Sequence, residues 1–184
     1  MTGIASKSQL RMSFLRYALV TVPAVLLIGT IVGSLSGSAG DNGWYQALVK
    51  PDYTPPSWTF ALVWPILYVL LGLVLAMILH ARGAHGRERV IALFLLQLVL
   101  NFAWSPVFFG WHDVDTALGI LTALVVINVV LAAMTWRVRR VAALLLLPYL
   151  AWLVFAAMLN FEIVARNPNA ETLVPVGGST DIPL

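Results

Sequence analysis

Of the chain's 184 residues, 60% are hydrophobic and only 10% are charged, against roughly 25% charged in an average soluble domain. That balance excludes both a water-clean globular surface and a disordered polymer, and the lack of cysteine excludes disulfides, thiol catalysis and a cysteine-ligated zinc. A net charge of +3 would point to nucleic acid only in a soluble protein; here the placement of the charges matters more, and no nucleic-acid partner is expected.

Taken in order, five apolar runs appear at about 17–36, 58–79, 90–109, 116–136 and 141–165. Each approaches the ~20 residues that a helix needs to cross about 30 Å of hydrocarbon. Their apolar residues surround the whole helix instead of forming one stripe, which suits lipid. The expectation is an all-α integral membrane bundle of five transmembrane helices over 17–167, with an N-terminal tail at 1–16 and a flexible C-terminal tail at 168–184. Pro23, Gly29, Gly33, Pro65, Gly72 and Pro148 inside the runs are tolerable in spanning helices, where neighbours satisfy freed backbone groups.

The connection at 37–57 is the chemically varied part. Pro51, Pro55 and Pro56 fall within six positions and forbid a regular helix there. Trp44, Tyr45 and Tyr53 make it aromatic. A stiff aromatic loop between two apolar runs reads as a lid over a pocket for a flat apolar ligand.

Of the 11 Lys and Arg residues, Lys7, Arg11, Arg16, Arg82, Arg87, Arg89, Arg137, Arg139 and Arg140 fall on one side of a five-pass arrangement, leaving Lys50 and Arg166 on the other. The positive-inside rule then places the N-terminus and basic loops inside, with the lid and C-terminus outside. A second reading of the first run is a signal peptide cleaved after Ala39, which leaves four helices in the same orientation. The run exceeds the usual ~7–15 residue apolar core of such peptides and holds Pro23 and two glycines, which favours a retained helix.

Within the runs, Gln97, Asn101 and Ser105 repeat at i, i+4 and i+8 and share one helix face, with Trp104 and Phe108 beside them. Tyr149, Trp152, Ala156, Leu159 and Asn160 form a similar stripe, and Trp64 and Tyr68 lie one turn apart. Interhelical hydrogen bonding and aromatic filling account for such stripes, and so does a binding pocket. Trp58, Trp111 and Trp136 stand at segment ends and fit an interfacial aromatic belt. Gly29 with Gly33, and Gly119 with Ala123, are small-xxx-small pairs that suit close packing within the chain or between copies. Glu162 and Arg166 at i, i+4 read as a surface pair. His80, His85 and His112 have no ligand spacing, so no metal site is expected, and Ser105 has no motif-placed partners for hydrolysis.

The run Trp44-Tyr45 … Lys50-Pro51-Asp52-Tyr53-Thr54-Pro55-Pro56, followed by Val63-Trp64-Pro65-Ile66-Leu67-Tyr68, resembles the signature of the TspO/translocator-protein family, the tryptophan-rich sensory proteins related to the peripheral-type benzodiazepine receptor. Asn101-Phe102-Ala103-Trp104-Ser105 with Phe108-Phe109 is similar to that family's third helix. Pro148-Tyr149-Leu150-Ala151-Trp152-Leu153-Val154-Phe155-Ala156 with Leu159-Asn160 is similar to its fifth. The resemblance covers about Tyr17 to Pro168.

It implies a five-helix bundle, often a homodimer, with a pocket closed by the first loop. The implied ligands are porphyrins such as protoporphyrin IX and haem, isoquinoline-carboxamide and benzodiazepine compounds, and sterol in animals; no cofactor is required. The implied ligand-binding residues are Trp44, Tyr45, Pro55, Trp64, Tyr68, Asn101, Trp104, Trp152 and Ala156. Indole faces would stack on a flat macrocycle while an amide or indole N–H orients a carbonyl or propionate. Tyr53 departs from the family's frequent Trp. No tyrosine completes the cholesterol motif, whose nearest equivalent here is Phe161 before Arg166. The expected function is a membrane receptor or sensor that modulates tetrapyrrole handling or stress responses. The alternatives are a transporter of such amphipaths and a light-dependent porphyrin-degrading enzyme acting through Trp64 and Trp152.

Overall fold

Backbone groups in hydrocarbon must be satisfied within the chain, so long apolar runs become helices. The computed structural model describes residues 7–38 and 42–173. Among them it holds α1 (Lys7–Leu35), the short α2 (Gly43–Ala47), α3 (Ser57–His80), α4 (Arg87–Ser105), a π-helical turn (Pro106–Gly110), α5 (Val114–Val138), α6 (Arg140–Arg166) and a 3-10 turn (Ala170–Thr172). No strand occurs among the described residues, and five of the helices are long and apolar enough to cross a bilayer.

Two boundaries differ from the sequence reading. Residues 7–16 continue the first helix instead of forming a separate tail, because hydropathy marks only the stretch suited to hydrocarbon and a helix outlasts it. The connection between the first two spans is not all loop, since α2 occupies part of it. Ala39, the cleavage position weighed above, lies outside the described residues.

The five long helices close into a ring, α1 against α3, α3 against α6, α6 against α5, α5 against α4, and α4 back to α1. The seam between α1 and α3 is the tightest. A Cβ on Gly72 would fall 2.5 Å from the Val22 Cα, and one on Gly29 would fall 2.3 Å from the Tyr68 ring. Glycine is needed at both positions because backbone meets backbone or ring there. Thr21 locks the same crossing by donating to the Gly72 carbonyl at 2.7 Å. By contrast, a Cβ on Gly119 would meet nothing within 4 Å.

Toward the basic loops the interior is filled by aliphatic side chains, among them Leu71, Val74, Ile78, Leu124, Leu131 and Leu146. Trp58, Trp111 and Trp136 are exposed at helix ends, as an interfacial belt requires. Arg166 pairs with Glu162 at 2.9 Å on the surface at the end of α6. The lid end, where α1 and α6 finish and α3 and α5 begin, is packed differently.

Candidate functional site

The lid is built by local capping. Asn42 accepts from the Tyr45 N–H at 2.9 Å and starts α2. The Lys50 ammonium then donates to the carbonyls of Tyr45 at 2.6 Å and Leu48 at 3.0 Å, closing the helix's C-terminal end, and lies 4.7 Å from the Tyr45 ring centroid. Partial burial pushes the Lys50 ammonium down from its ordinary pKa and the Tyr45 phenol up. Beyond Pro51, Thr54 turns the chain by bonding back to the Pro51 carbonyl through its N–H and its hydroxyl.

Behind α4, Pro106 brings no N–H, so the helix widens into a π turn closed by Trp111 N–H donating to the Pro106 carbonyl at 2.9 Å. That turn presents Phe108 and Phe109 to the interior of the lid end. On α3, Pro65 likewise leaves the Ala61 carbonyl without its helical donor, and both residues border the same space.

The space is a cavity of about 290 Å³, at the small end of the ~300–1,000 Å³ range of ligand pockets. On the α1 side its wall is formed by small residues, Gly29, Thr30, Gly33 and Ser34. The opposite wall is aromatic. Trp64 and Trp104 lie with ring centroids 6.4 Å apart and planes 29° from parallel. Trp104 stacks on Phe108 at 5.2 Å, and Tyr68 lies 5.4 Å from Trp64. Leu159 and Ile163 complete the wall from α6.

Of the nine residues expected at the pocket, Tyr45, Trp64, Tyr68, Asn101, Trp104 and Ala156 come together on its wall. Trp44, Pro55 and Trp152 do not line it. Trp44 is fully buried in the lid's own contacts: its indole donates to the Ala170 carbonyl at 2.7 Å and stacks on His112 at 4.3 Å. The His112 backbone takes a φ of 59°, which turns the imidazole under that indole. Trp152 stands one layer back, edge-on to Phe60 at 5.7 Å and to Trp64 at 6.4 Å. Pro55 is half-buried in the lid's extended stretch. The sequence reading did not assign Phe60, Phe108, Phe109 or Asn160 to the pocket. For Asn160 a signal was present, since it follows Ala156 at i+4 on the same face.

Hydrogen-bonding capacity is left over in this wall. Asn101 donates to the Tyr149 hydroxyl at 2.9 Å, and Asn160 donates to the Val114 carbonyl at 3.3 Å. The Asn101 and Asn160 Oδ1 atoms, Trp104 Nε1 and Ser105 Oγ are buried without a partner among the described residues. In hydrocarbon each such orphan costs several kcal/mol; Gln97, Asn128, Thr135 and Trp152 carry others away from the cavity, so these atoms add polar capacity to its wall without being peculiar to it.

Five apolar helices in a closed ring around an aromatic-walled hollow, capped by a folded loop, make this an integral multi-pass membrane protein of the helix-bundle class. The TspO/MBR family profile matches residues 20–166. Over 147 residues the chain is 42% identical to the tryptophan-rich protein TspO of Archaeoglobus fulgidus, spanning 80% of this chain and 94% of that one. It is 43% identical over 163 residues to the translocator protein of Ovis aries, spanning 79% and 90%. It is 36% identical over 129 residues to the tryptophan-rich sensory protein of Cereibacter sphaeroides, spanning 68% and 78%. The chain belongs to the TspO/MBR family.

Proposed function

We propose that the protein is a membrane receptor or sensor that holds flat, apolar, partly polar-edged molecules of the tetrapyrrole type, protoporphyrin IX and haem among them, in the cavity beneath the lid. The observation that carries this reading is the wall itself: Trp64, Trp104, Tyr68 and Phe108 offer ring faces beside the unpaired Asn101 Oδ1, Trp104 Nε1 and Asn160 Oδ1. Rings supply stacking area, while the amide oxygens and the indole N–H read hydrogen-bonding edges. With the lid down the space is small for a four-ring macrocycle, so admission requires the lid to swing. Trp152 acts from behind by holding Trp64 and Phe60 in place. Isoquinoline-carboxamide and benzodiazepine compounds share the required shape; a sterol lacks the planar rings that the wall is built to stack, and is the poorest fit.

The proposal includes an orientation, with the basic loops inside and the lid outside, because nine of the 11 Lys and Arg residues lie at the end away from the lid. The chain has no cysteine of its own, so single cysteines at Gln46 and Ala84 report this directly. A membrane-impermeant maleimide should label the first and spare the second in intact cells. The proposal also includes a homodimer, for which the open surface around Gly119 and Ala123 is the available face.

Titration of purified protein with protoporphyrin IX in the dark tests the central reading. Saturable tryptophan quenching is expected, with affinity weakened about fivefold in Trp64→Phe and in Trp104→Phe, in keeping with the ~0.5–1.5 kcal/mol of an aromatic pair. Product formed on illumination and lost in Trp64→Phe would move the assignment to a degrading enzyme, and net flux into liposomes would move it to a transporter. Absence of saturable binding overturns all three.

A further inference from the structure

The lid is tied to the far end of the chain by one side chain. Asn167 follows α6 directly, and its backbone N–H bonds to the Ile163 carbonyl at 3.0 Å, which fixes its position. Its side-chain amide then pairs with the Val49 backbone in both directions. Oδ1 accepts from the Val49 N–H at 2.9 Å, and Nδ2 donates to the Val49 carbonyl at 2.9 Å. The second hydrogen on Nδ2 goes to the Ile163 carbonyl at 2.8 Å. Both donors and the acceptor are thus engaged, and a flipped amide would set a donor against the Val49 N–H, so one orientation is enforced. Asn167 is 7% exposed, which shields the pairing from water. Three residues on, the Ala170 carbonyl receives the Trp44 indole N–H at 2.7 Å. Lid and C-terminal segment therefore meet through three hydrogen bonds that touch no part of the cavity wall.

We infer that Asn167, with the Trp44–Ala170 bond as its second point, is the latch of the lid: a positioning residue that sets how fast ligand enters and leaves rather than how tightly it is held. The inference rests on the proposed pocket for its ligand readout but on the backbone geometry for its mechanism. None of the four residues that make these bonds lines the cavity, so breaking the latch should destabilise the closed lid equally in the free and the loaded protein. Linkage then requires the open fraction, and with it both rate constants, to rise together while their ratio stays nearly constant.

Two measurements test this on the full-length protein in nanodiscs. Hydrogen exchange at the Val49 amide should accelerate about tenfold in Asn167→Ala, with no change at amides in the middle of α5. Stopped-flow mixing with protoporphyrin IX should show kon and koff both rising about tenfold in the same variant, with Kd moving less than twofold. Trp44→Phe, which keeps a ring against His112 but removes the indole donor, should accelerate both about threefold. Asn167→Asp keeps the acceptor, loses both donors and sets a carboxylate against two carbonyls, so it should be at least as fast as the alanine variant. Unchanged exchange at Val49 overturns the latch. So does a rise in koff alone with a matching loss of affinity, which would make Asn167 a part of the bound complex. If the wild-type protein shows no saturable binding, the pocket reading fails, and exchange at Val49 still decides the latch.

Discussion

The two ends of the bundle use the same five helices and solve opposite problems. Near the basic loops, Leu124, Leu131, Leu146, Ile78 and Val74 are fully buried and fill the interior, as close-packed cores do. Near the lid, the close approach of Gly29 to the Tyr68 ring brings the α1 backbone up to an aromatic wall, and the two enclose a hollow. The comparison separates stability from function within one fold. Where packing is complete, bulk is fixed and substitution is costly; where a hollow remains, added bulk has room to fit.

The sharpest way to break the comparison is at the crossing that holds both ends together. Gly72→Leu drives a side chain into the Val22 backbone and should destabilise by about 3 kcal/mol, the upper range of overpacking, read as a lowered Tm in detergent. Gly119→Leu, which meets open space, should leave the monomer's Tm unchanged. Next in size is Leu124→Ala in the filled half, with a cost of about 2–3 kcal/mol from the void it leaves. Its mirror is Ala156→Leu, which occupies the hollow; Tm should hold or rise slightly while protoporphyrin IX binding falls at least tenfold.

Tyr149→Phe probes the boundary between the halves. It leaves the Asn101 amide without its acceptor and should cost about 1 kcal/mol, in line with hydrogen bonds measured between membrane helices. The smallest effect is a pH dependence at the start of α5. The Asp113 carboxylate is held below its ordinary pKa first by the Thr116 side chain and then by the Thr116 backbone N–H, which it caps at 2.9 Å. A carboxyl depressed in the folded state contributes stability above its unfolded value and loses it as pH falls through the folded one. Wild-type Tm should therefore be flat near neutrality and dip only in acid, below about pH 4, whereas Asp113→Asn should remove that dip.

How far the sequence reached follows the same division. Run length and charge placement made the five spans legible, because hydropathy is a property of composition. Of the nine residues that the family resemblance implied, six line one cavity. Orientation around a helix axis was harder. Trp44 and Trp152 are indoles in the right neighbourhood, but whether a ring faces a cavity or its rim depends on partners such as His112, Ala170 and Phe60 that lie far away in the chain. The π turn was invisible for a different reason. Pro106 announces a lost hydrogen bond, but a kink, a helix end and a widened turn all begin that way. Asn167 carried no signal in the sequence, because its pairing with the Val49 backbone joins positions 118 apart.

The bare glycine face of α1 has a consequence for how this chamber changes over generations. At position 29 any side chain collides with Tyr68, so that point of the wall has no vocabulary beyond hydrogen. New preferences must be written around it, at positions such as Ala156, Phe60 and the neighbouring Thr30 and Ser34, while position 29 itself stays a blank page.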